Sequence, residues 1–137
     1  MANENVGYWH QAHSVGRGNW RNSQETRPMI LQKSCHDMDI LTWLLGKKCK
    51  YVSSIGSTQL FKPERAPEGA ALRCLDGCKA KESCVFDAEK IYVTSPKTGC
   101  LQGTSWLAGV LSLDATQEST YQACREGPYG RCVYFCV

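Results

Sequence analysis

The chain has 137 residues, of which 42% are hydrophobic and 21% charged, a size and balance that suit one soluble globular domain. No apolar run approaches the roughly 20 residues that span a bilayer, and Met1 to Asn5 lacks the character of an export signal. The expectation is therefore a cytoplasmic chain with no membrane partner. The net charge of +3 comes from basic residues interspersed with acids, not from a basic face, which argues against nucleic acid as a partner.

In chain order, Asn5 to His10 is aromatic and reads as a strand. His13 to Arg21 holds two glycines and an asparagine and reads as a loop, and Thr26 to Pro28 is a second break. Cys35 to Leu45 carries the strongest helix signal. Met38, Leu41, Leu44 and Leu45 mark one face, Ser34 and Asp37 form a capping-box pattern, and Gly46 stops the helix. Lys47, Lys48 and Lys50 read as cations behind its C-terminus.

Lys50 to Leu60, rich in β-branched residues, reads as a strand, whereas Phe61 to Glu82 is irregular. Ile91 to Thr94 is long enough only for a short strand or turn, and Gly99 to Gly109 is weakly patterned. Asp114 to Arg125 reads as a second helix, closed by Gly127 and Pro128. Arg131 to Val137 reads as an apolar strand that ends without a turn or cap. Such an edge implies either a covering chain or a piece of something larger.

The densest chemical constellation surrounds the start of the first helix, where Lys33, His36 and Asp37 share one end and Asp39 follows. A lysine, a histidine and a carboxylate at helical spacing suit proton exchange with a hydroxyl. A capped and solvated helix start produces the same spacing. Nine cysteines, with no export signal, read as reduced thiols. Cys74, Cys78 and Cys84 offer three thiolates to a structural zinc ion, with a fourth ligand from Cys100, Cys132 or a histidine; buried or free thiols are the alternative.

The run Met29 to Leu45, with its H-x-x-D pattern at His36 and Asp39, resembles the Gfo/Idh/MocA oxidoreductase family. Asn5 to Ser14, Arg17 to Ser23, Arg73 to Cys78 and Arg125 to Tyr134 resemble the same family, so the likeness spreads over nearly the whole chain. It implies the family's C-terminal domain, an α+β fold with an open, mainly antiparallel sheet and helices on one face. Residues 1–137 would be a single, partial version of that substrate-side domain.

The resemblance also implies that His36 binds or protonates a substrate hydroxyl, that Asp39 supports the helix near substrate, and that His13, Arg17 and Trp20 contact substrate. Many relatives carry an aspartate four residues before the histidine; Gln32 stands there, and Lys33 is the substitute polar partner. Neither G-x-G-x-x-G nor a Glu-Lys-Pro run is present, so NAD(P) belongs to the full-length family only. The leading expectation is the substrate-side domain of an NAD(P)-dependent sugar or polyol dehydrogenase, inactive alone and completed by a separate Rossmann domain. A non-enzymatic homo-oligomeric module, joined through a sheet face or edge, and a zinc-stabilised interaction domain are the alternatives.

Overall fold

The computed structural model describes residues 6–101 and 106–136. It places α1 at Tyr8–Gln11, a π-helical turn at Ala12–Arg17, α2 at Met29–Lys33 and α3 at Cys35–Leu45. A second π-helical turn follows at Lys90–Thr94, then α4 at Trp106–Leu111 and α5 at Gln117–Glu126, with 3-10 turns at Pro63–Arg65 and Pro128–Gly130.

The expected open antiparallel sheet is corrected by this architecture. Among the described residues there is no β-strand, and one isolated antiparallel bridge joins Arg73 to Arg131. A strand exists only where a neighbour satisfies its backbone groups. Residues 50–60 are non-helical and exposed, and among the described residues they join no ladder. The expected first strand is instead helical from Tyr8, closed by Gln11 N–H donating to the Gly7 carbonyl at 3.0 Å. The apolar C-terminal run turns at Cys132, whose carbonyl accepts from Phe135 N–H at 3.1 Å; Val137 lies outside the described residues.

Helix α3 has the bounds its periodicity predicts. Gly46 adopts φ 60°, a left-handed conformation open to glycine, and its N–H donates to the Thr42 carbonyl at 3.0 Å. The other end differs, because Ser34 makes no side-chain cap bond. Its N–H donates to Ile30 and its carbonyl accepts from Met38, so α2 and α3 abut across it. Helix α5 starts three residues later than Asp114. Thr116 is its cap, and its hydroxyl oxygen accepts from Ser119 N–H at 3.2 Å.

The core is built mainly from residues 74–134, joined by Ala12, and bypasses α3. Ile91, Tyr92, Val93, Leu107, Cys124 and Tyr129 form one cluster, while Ala12, Phe86, Cys132, Val133 and Tyr134 form a second. Edge-to-face contacts of Phe86 with Tyr8, Phe61 and Tyr134 tie the first helix and residue 61 to the second cluster. Gly18 lets the end of the π-helical turn pack against Tyr129, since a Cβ there would collide with the His13 carbonyl and the Tyr129 ring.

Candidate functional site

Wide π-helical turns collect residues four apart on one side. At Ala12–Arg17 this aims His13 and Arg17 inward, and both are buried. His13 stacks on the Tyr129 ring at 4.8 Å, and its Nδ1 shares a 3.1 Å hydrogen bond with the Tyr92 hydroxyl. Burial, reinforced by the charges of His10 and Arg17, lowers the His13 imidazole to about 4. It is therefore neutral near neutral pH. Burial also pushes the Tyr92 phenol upward, so its O–H is kept and can donate to that nitrogen.

The outward side of the same turn faces a cavity of about 350 Å³, within the range that holds a small polar ligand. His10, Gln11, Ser14, Trp20, Gln32 and Lys33 supply its polar rim and one flat aromatic wall. Val15 and Met29 make part of the apolar floor. Gln32 is held in place by donating to Thr26 Oγ1 at 3.2 Å and to the Arg27 carbonyl. The segment before Pro28 thus sets the cavity's rim.

The structure therefore brings Lys33 and Trp20 together and separates them from the other expected site residues. Lys33 ends α2, whereas His36 lies beyond Ser34 in the first turn of α3, exposed, with its Nε2 3.3 Å from Asp37 Oδ1. Asp39 is exposed on α3. His13 and Arg17 lie in the core behind the cavity wall. His10, Gln11 and Ser14, which sequence reasoning passed over, line the cavity. Their signal was the polar spacing of residues 10, 11 and 14, hidden by reading the segment as strand and loop.

All nine cysteines are free thiols. Cys74 and Cys132 are buried, Cys78 and Cys84 half-buried, and the four line one small cavity with Arg17 and Asp87. Among the described residues, however, no three Cys, His, Asp or Glu side chains are poised to hold a metal ion, so the expected zinc cage of Cys74, Cys78 and Cys84 is not preformed. Burial pushes the Cys132 thiol up to about 11 and raises Cys74 as well, the opposite of an activated nucleophile.

A sequence profile of the Gfo/Idh/MocA family, described as "Oxidoreductase family, C-terminal alpha/beta domain", matches residues 2–91, more than half of the chain. The chain belongs to that oxidoreductase family, in its C-terminal domain. No curated protein and no solved structure matches it.

The family's enzymes in general use NAD(P). The sequence carries no glycine-rich G-x-G-x-x-G turn. Among the described residues no helix is long and apolar enough to cross a membrane.

Proposed function

We propose that this chain supplies the substrate side of an NAD(P)-dependent dehydrogenase of a sugar or polyol, and that a separate Rossmann domain completes it in the cytoplasm. The observation that carries the reading is the 350 Å³ cavity between the π-helical turn and α2, inside the family-matched segment. Its mixed lining suits a polyhydroxylated ligand, with amide, hydroxyl and ammonium groups for hydroxyls and an indole face for C–H surface.

In this reading Lys33 and Gln32 hold the substrate hydroxyls and Trp20 packs against the carbon skeleton. His36, beside the Asp37 carboxylate in the first turn of α3, does not line the cavity, and the family likeness alone assigns it the proton of the hydroxyl that reacts. Asp39 supports the helix from its exposed side. His13 and Arg17 act from the core, fixing the turn that presents Gln11 and Ser14.

Titration with a panel of hexoses and inositols, followed by tryptophan fluorescence, tests the cavity without any cofactor. The expected result is a saturable change that Trp20→Phe removes and Lys33→Ala weakens at least tenfold. A panel-wide null response sinks the reading. With a nucleotide domain supplied, His36→Ala is expected to lower turnover by roughly 10²–10⁴-fold, the usual contribution of a positioned acid or base.

A non-enzymatic homo-oligomer is the second reading. It is favoured by α3, on which Trp43, Leu44 and Leu45 are all exposed.

A further inference from the structure

We propose that Arg21 and Arg131 form an anion site that takes the phosphate of a small phosphomonoester, with the Phe135 ring against the ester's organic group. The site shares no lining residue with the cavity of Lys33 and Trp20, and the proposal does not depend on the dehydrogenase reading.

Placement is the first observation. Arg21 N–H donates to the Gly18 carbonyl at 3.3 Å, and Arg131 N–H donates to the Pro128 carbonyl at 3.1 Å. Each arginine thus closes a tight turn, and the two turns meet where Gly18 packs on the Tyr129 ring. Distant parts of the chain are joined in this way. Both arginines, half-buried, line one cavity of about 650 Å³ together with Asn22, Ser23, Gln24 and Phe135. That lining is mainly polar and holds no carboxylate.

Charge is the second observation. Arg131 stands opposite Arg73 in the antiparallel bridge, where like charges repel. Arg73 is compensated, because its Nη2 donates to the carbonyls of Cys124, Arg125 and Gly127. Among the described residues no carboxylate forms an ion pair with Arg131 or with buried Arg17. Arg21 has the Glu25 carboxylate at 3.6 Å, on a side chain that is itself 58% exposed. The positive field converges beside the cavity: burial raises the Cys136 thiol, while Arg131, Arg17, Arg21 and Arg73 all pull it down. An anion seated between Arg21 and Arg131 would relieve this excess.

The lining also selects the kind of anion. Two planar forks can each give paired N–H bonds to a phosphate dianion, whereas a carboxylate occupies one fork. Asn22 Oδ1 already accepts from Gln24 N–H at 2.9 Å, which leaves the Asn22 amide nitrogen as a donor. The Ser23 hydroxyl adds another. The cavity is larger than a bare phosphate fills, and Phe135, 36% exposed, offers an apolar face to the ester's carbon skeleton.

Calorimetric titration of the full chain with glycerol 3-phosphate, phenyl phosphate and inorganic phosphate, at fixed ionic strength, tests the site. Saturable binding of both esters is expected, weakened roughly tenfold or more in Arg21→Gln and Arg131→Gln and unchanged in the exposed control Arg65→Gln. Phenyl phosphate should bind more tightly than inorganic phosphate, and Phe135→Ala should remove that advantage. Because weaker binding can also come from misfolding, Glu25→Gln is the complementary variant: it frees Arg21 and is expected to tighten binding. Esters that give no saturable heat up to about 10 mM, or that bind no better than chloride, overturn the proposal. So does wild-type affinity in both Arg131→Gln and Glu25→Gln.

Discussion

His13 shows how a single side chain is assigned by its surroundings. Enclosed by Tyr92, Tyr129 and the Arg17 charge, it stays neutral in the fold down to about pH 4, whereas the same imidazole in an unfolded chain titrates near 6.5. Between those values the unfolded chain binds a proton that the folded chain refuses, so stability rises with pH across the window and falls on acidification. The contribution is on the order of 3 kcal/mol, present above about pH 6.5 and lost as pH falls toward about 4. Urea midpoints measured from pH 7 to pH 4 are expected to drop for the wild-type chain and to change less for His13→Phe, which keeps the stacking surface. Equal slopes for the two chains would show that His13 is not the titrating group.

Helix α5 owes its end to a residue far away in sequence. The Arg73 guanidinium donates to the Cys124 carbonyl at 3.1 Å and to those of Arg125 and Gly127 at 2.6 Å each, satisfying acceptors that the helix leaves unpaired. Gly130 allows the close approach, since a Cβ there would collide with the Cys124 carbonyl. Arg73→Ala is expected to destabilise the chain by roughly 1–3 kcal/mol, the loss of charge-assisted hydrogen bonds to part-buried and exposed carbonyls. Arg73→Lys recovers only part of that loss, because the shorter lysine stem does not carry its ammonium to the position of Nη2, on which all three carbonyls converge. Thermal melts of the two variants check the order. No sequence pattern announces such a cap, whereas Thr116 at the other end lies within the usual N-cap vocabulary and was displaced only by the nearby Asp114.

At the scale of the whole molecule, α3 abuts α2 but buries no residue of its own. Trp43 is 76% exposed. An isolated helix of this length is marginal in water, and so large an apolar face ordinarily marks an interface. The chain is therefore expected to associate through α3, either with a second copy or with a nucleotide-binding domain. Light scattering behind size exclusion checks this: a mass above the monomer that returns to monomer in Trp43→Glu/Leu44→Glu is the expected result. A strictly monomeric wild-type chain restricts the face to the Rossmann partner.

The sequence by itself determined α3 with its glycine stop, the second helix to within a few residues, the irregular stretch after Phe61, and membership of the oxidoreductase family. These features rest on local rules or on linear motifs, which survive reading one residue at a time. Tertiary structure alone decided that the β-favouring runs find no strand to pair with, since pairing depends on what lies beside a segment and not on its composition. It also decided that His13 and Arg17 face the core while Lys33 and Trp20 face a cavity. The reason is geometric: a π-helical turn has no sequence signature, yet it chooses which of two neighbouring polar residues meets solvent.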